Sequence, residues 1–107
     1  MVMTERTEAT RRRPRVLRGA HAEMNHAADE YDEATPGLGD EFLATVETAF
    51  NTIVQAPQRW PRLDARHQRY VLRRFPFSLI YRFNDAEVVL VAVAHHKRQP
   101  GYWARRR

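Results

Sequence analysis

The chain has 107 residues, 43% hydrophobic and 29% charged, with no cysteine and a formal net charge of +5. That length suits one small domain and excludes a (β/α)₈ barrel or a full dinucleotide-binding fold. The missing cysteines exclude a disulfide framework, a Cys-ligated zinc site and a thiol nucleophile, and they suit a reducing cytoplasm.

The charge is segregated. Residues 1–18 sum to +4, residues 19–56 to −8 with neither Lys nor Arg, and residues 57–107 to +9. Such separation points to one face built for a polyanion or an acidic partner. The plainer reading is charge on solvated helix faces. The longest apolar run, Val88 to Ala94, is too short to span a bilayer, so no membrane is expected.

Residues 1–14 lack apolar periodicity and end in Arg11-Arg12-Arg13-Pro14. They are read as a disordered basic leader, with Met3 as a second candidate start. A short strand is expected at Arg15–Arg18, around Val16 and Leu17. Ala20, Met24, Ala27, Ala28 and Tyr31 then mark one stripe of a helix. Thr35-Pro36-Gly37-Leu38-Gly39 makes a turn. A second helix follows, with Leu38, Phe42, Val46, Ala49, Phe50, Ile53 and Val54 on one face and Asp40 and Glu41 in its first turn. It ends before Pro57, giving an αα-hairpin.

Gln58 to Gln68 reads as a loop pinned by Trp60. A short strand is expected at Tyr70–Arg73. Phe77, Leu79, Tyr81 and Phe83 alternate with Ser78, Ile80 and Arg82, which is a strand period. Asn84 to Glu87 has turn composition, and Val88 to His95 is β-branched enough for a central strand. The order predicts an α+β domain over residues 15–103: a short strand, a helical hairpin packed on one sheet face, and a small, mostly antiparallel sheet (β-α-α-β-β-β). Residues 104–107 form a basic tail.

The other sheet face is expected to be partly open and to carry the chemistry. Arg73, Arg74, Arg82, His95, Lys97 and Trp103 are the candidates for holding a target or a phosphate. His95 and His96 close the last strand, so at most one points into a site on the open face; a solvated pair at a strand end is the plainer reading. His21, His26 and His67 have no metal-ligand spacing, and neither a metal nor a cofactor is expected. Phosphate-loop and nucleophile-elbow motifs are absent.

The ordered set Pro36-Gly37-Leu38-Gly39, Phe42, Ala56-Pro57, Trp60-Pro61, Arg73-Arg74-Phe75-Pro76-Phe77, Ile80-Tyr81-Arg82 and Ala94-His95-His96-Lys97-Arg98-Gln99-Pro100-Gly101-Tyr102-Trp103 resembles the RelE/ParE superfamily over about residues 15–103. The resemblance implies a helical hairpin on a small antiparallel sheet and a toxin of a type II toxin–antitoxin (plasmid stabilisation) module. It implies a cognate antitoxin with an acidic, amphipathic C-terminal segment, for which Met24, Tyr31, Phe42 and Phe50 are the expected contacts.

ParE-like members of that superfamily poison DNA gyrase, and RelE-like members cut mRNA on the ribosome. The ParE-like reading comes first. Where mRNA-cleaving relatives carry Arg-Leu-Val-Tyr, this chain has Ser78-Leu79-Ile80-Tyr81, and a serine cannot replace a guanidinium that stabilises phosphorane charge. Enzymatic activity is therefore left open. If the chain is a metal-independent endoribonuclease, the resemblance places His96, Arg98 and Tyr102 as catalytic residues, with Arg69 at a basic position and Arg74 or Arg82 as substitutes for the missing arginine.

Overall fold

The computed structural model describes residues 12–107. The residues read as a leader lie largely outside this range. Strand β1 (Arg13–Val16) is followed by helices α1 (Arg18–Ala34) and α2 (Leu38–Gln55), a 3₁₀ turn at Pro57–Arg59, and strands β2 (Gln68–Val71), β3 (Phe77–Phe83) and β4 (Glu87–His95). The sheet order is β1-β4-β3-β2; β1 runs parallel to β4, and the other two pairings are antiparallel. This is the expected α+β architecture, with Val88–His95 inside the sheet. Both short strands begin two residues earlier than expected. Leu17, which was placed in the first strand, is instead the buried residue that caps α1.

The hairpin is close-fitting because its contact residues are small. Ala20, Ala27 and Ala28 are the buried residues of α1. Gly37 begins α2 with φ 90°, a left-handed conformation that costs glycine little. At Gly39 a Cβ would lie 2.3 Å from the carbonyl oxygen of Ala28. The Gly39 N–H donates to Asp32 Oδ1 at 2.7 Å, so a carboxylate from the end of α1 caps the start of α2. On the sheet side, Phe42, Phe75 and Phe77 meet Tyr31 with ring centroids 5.1–6.4 Å apart. Ile53, Leu79, Tyr81, Val88 and Leu90 complete this core.

The second sheet face is covered in part. A smaller core joins Leu17, Ile80, Val89, Val91, Ala92, Ala94 and Trp103. Its membership reflects a bulge in β4. Ile80 pairs with Ala92, while Tyr81 pairs with Leu90, which leaves Val91 as the extra residue. Val88, Leu90 and Val93 therefore face the helices, and Val89, Val91, Ala92 and Ala94 face the other way. The cover is the C-terminal segment. Gly101 (φ 80°) turns the chain back, and Trp103 is 7% exposed. Trp103 meets the His67 ring at 4.6 Å.

Candidate functional site

The returning segment is held by one carboxylate. Glu23 of α1 accepts a hydrogen bond from the Tyr102 hydroxyl at 2.5 Å, a bidentate pair from Arg106 at 2.9 and 3.0 Å, and the Val93 N–H at 3.1 Å. Arg106 Nη1 also donates to the Val91 carbonyl at 3.1 Å. Two side chains thus occupy backbone groups on β4 beyond the end of β1, where an unpaired edge would otherwise be open. Gly19 leaves room for this: a Cβ there would lie 2.6 Å from Arg106 Cζ. Residues 104–107, expected as a basic tail, include this anchor.

From the sequence, Glu23 is expected to fall largely off the apolar stripe of the first helix. Its spacing held a usable signal, because Glu23 lies three residues after Ala20 and four before Ala27, inside the buried stripe. Burial and hydrogen bonding to Glu23 push the Tyr102 hydroxyl well above the usual phenol range. The Glu23 hydrogen bond raises Arg106 further.

A cleft of about 450 Å³ lies between this segment and the strands, with Arg69, Ser78, Ile80, Ala94, His96 and Arg98 among its lining residues. Leu63, Asp64 and Pro100 wall it. Strand alternation aims Arg69, Ser78 and Ile80 to this side, since Arg69 pairs with Ile80 and Val71 with Ser78. Ser78 Oγ and His96 Nε2 are 3.0 Å apart. The Arg98 guanidinium stacks 3.9 Å from the Tyr102 ring centroid.

Three of the expected residues, His96, Arg98 and Tyr102, are brought together here. Tyr102 contributes its ring, while its hydroxyl is committed to Glu23. His95 also borders the cleft, but its ring packs edge-on against Phe77 at 4.9 Å and its Nδ1 accepts from the Lys97 N–H.

Other expected residues fall elsewhere. Arg74 pairs with Glu41 of α2 and lies over the Phe75 ring at 5.1 Å. With Arg73 it borders a different cleft, of about 480 Å³, between α2 and β2. Both were expected on the open face; the bend between β2 and β3 carries them to the helix side.

Arg82 shares the face of Ser78 but stands four residues along β3, roughly 13 Å away. It borders a third cleft with Arg66 and Asn84. Burial, then the charges of Arg66 and Arg15, lower its pKa. Neither Arg74 nor Arg82 therefore fills the place of the missing arginine. Trp103, expected as a target contact, is a core residue. Phe42 and Phe50, expected as antitoxin contacts, are 0% and 7% exposed and build the main core; Met24 and Tyr31 remain half-buried at its margin. The amphipathic stripe that marked all four is the face that the sheet covers.

The described residues thus form a helical hairpin on a four-stranded sheet, with a cleft lined by Arg69 and Arg98 on the face away from the hairpin. The chain matches the family model "ParE toxin of type II toxin-antitoxin system, parDE" over residues 15–100. It belongs to that family and is a ParE-like type II toxin; the RelE-like alternative is the less favoured one. A solved structure described as the chromosomal ParDE toxin–antitoxin system from P. aeruginosa superposes with a TM-score of 0.72, covering 80% of this chain and 97% of that one at 18% identity. That likeness is one of fold. No curated protein sequence matches the chain. Among the described residues, no helix is long and apolar enough to cross a membrane.

Proposed function

We propose that this chain is a cytoplasmic toxin that inhibits DNA gyrase by binding it, without chemistry of its own. The observation that carries this is the make-up of the open-face cleft. Ser78, which the resemblance sets in place of the arginine of mRNA-cleaving relatives, lines the cleft, and the Tyr102 hydroxyl is held by Glu23. General acid–base cleavage of RNA needs a mobile proton donor and a stabiliser of developing charge. Arg69 and Arg98 bring cationic charge to the cleft, but with the Tyr102 hydroxyl committed to Glu23, His96 is the one acid–base group left among the three expected residues.

A cognate antitoxin neutralises the toxin in this reading. The cleft between α2 and β2, lined by Glu41, Ala44, Thr48, Tyr70 and Leu72 and bordered by Arg73 and by Arg74, which pairs with Glu41, suits an amphipathic segment whose acidic side chain meets Arg73 and that orders on binding. Induction of the chain without antitoxin tests the target. Filamentation and an SOS response, with inhibited supercoiling by purified gyrase, are expected. Immediate arrest of translation with cut mRNA, and gyrase left fully active, would refute the reading.

A further inference from the structure

The open-face cleft combines an apolar floor with a cationic rim. Ile80 and Ala94 form the floor, Leu63, Asp64 and Pro100 the walls, and Arg69 and Arg98 the rim; the Asp64 carboxylate already accepts the Arg66 and His67 N–H groups. Among the described residues Arg69 makes no ion pair. The nearest carboxylate to Arg98 is Glu23 at 4.0 Å, and Arg106 already holds that carboxylate at 2.9 Å. Both guanidiniums thus keep free N–H donors. The Ser78–His96 pair lies in the same cleft and offers a further donor.

The aromatic rings do not offer a stacking platform. Arg98 covers the Tyr102 ring at 3.9 Å, with Arg106 at 5.2 Å, and Trp103 is 7% exposed. A nucleobase would find neither large ring free. A carboxylate would find a guanidinium fork, and an aliphatic neighbour would find the floor.

We propose that this cleft binds a partner polypeptide at an acidic side chain, Asp or Glu, that is flanked by an aliphatic one. The free guanidiniums of Arg69 and Arg98, the Ser78–His96 pair and the Ile80–Ala94 floor make the site. Glu23 positions it from outside: it fixes Tyr102, and Tyr102 supports the guanidinium of Arg98. The proposal rests on reading the chain as a toxin that acts by binding protein, and it names the chemistry recognised.

The test uses the isotopically labelled full chain, followed by NMR, with three probes: the blocked peptide acetyl-Ala-Leu-Glu-Leu-Ala-amide, its Gln counterpart, and an oligothymidylate. The Glu peptide should shift the signals of Ser78, Ile80, Ala94 and His96. The Gln peptide should bind at least about tenfold more weakly, and Arg69→Ala and Arg98→Ala should each weaken the Glu peptide by about tenfold, as loss of a charge-assisted hydrogen bond does. Unchanged melting of both variants excludes a folding defect. Arg69→Lys, which keeps the charge without the fork, should fall between.

Absence of shifts up to about 10 mM peptide, well into the range where a millimolar contact saturates, would overturn the proposal. So would equal response to the Gln peptide, or preference for the oligothymidylate, which would make the cleft a nucleic-acid site. Gyrase inhibition is scored separately. Peptide binding without gyrase inhibition refutes the target and leaves the cleft; gyrase inhibition that survives both arginine substitutions refutes the cleft's part in it.

Discussion

Trp103→Ala tests whether the C-terminal segment is part of the folded core. Trp103 is 7% exposed, meets the His67 ring at 4.6 Å, and shares its core with Leu17, Ile80, Val89, Val91, Ala92 and Ala94. Truncating a buried aromatic of this size costs about 3–5 kcal/mol, the lost transfer energy plus the void left behind. A small domain has only about 5–15 kcal/mol in total. At about 4–8 °C per kcal/mol, the melting temperature should fall by at least about 12 °C. Calorimetry or a circular-dichroism melt measures it. Trp60, half-buried against Tyr70 at 5.0 Å, remains as the fluorescent reporter of the main core. Arg105→Ala, at an exposed position beside it, should change nothing measurable. A fall of less than about 4 °C, equivalent to about 1 kcal/mol, would show that the segment can leave the sheet freely, and the second core would then not be a core.

Glu23→Gln should destabilise the domain by about 2 kcal/mol in urea titration, because it removes the charge that Arg106 and Tyr102 are hydrogen-bonded to in a site only 16% exposed. Gly39→Ala should yield little folded protein on size exclusion, since its Cβ would meet the Ala28 carbonyl at 2.3 Å, and backbone cannot yield as a side chain does. Tyr81 is buried, and burial raises its pKa from 10.0 to about 12. The folded state then holds a proton that the unfolded chain releases, so stability is full below pH 10 and should decline between pH 10 and about 12 in an alkaline melt series. Tyr81→Phe should make that decline shallower and leave the part that the raised Tyr102 hydroxyl contributes. Antitoxin binding, if Arg73 meets an acidic side chain, should weaken in a calorimetric titration as salt rises, and affinity unchanged from low to high salt would count against the electrostatic part.

The elements whose signals lie within a few residues were legible in the sequence. The stripes of Ala20–Tyr31 and Leu38–Val54, the glycine turn between them and the β-branched run Val88–His95 each depend on spacing alone. Their order was enough for the α+β fold, and the ordered motifs from Pro36 to Trp103 carried the family resemblance. His96 and Arg98, singled out through the resemblance, lie just past the end of β4 at His95 and line the cleft.

The tertiary structure decided which face each side chain reaches. The bulge at Val91 adds one residue to β4, and by shifting the alternation it sends both Val91 and Ala92 to the second face. Nothing local in the run marks it. Phe42 and Phe50 read as contacts because an apolar stripe looks the same whether the sheet or a partner covers it. Arg73 and Arg74 read as open-face residues because sequence does not say which way a bend between strands carries its side chains. Glu23, Arg69 and the folded-back Trp103 acquire their roles from pairings across as many as 83 residues, as between Glu23 and Arg106. Local patterns specify helices, strands and turns through short-range sterics and amphipathicity. A site assembled from α1, β2, β3 and the chain's end exists only once the sheet has set its register and brought those segments within hydrogen-bonding distance.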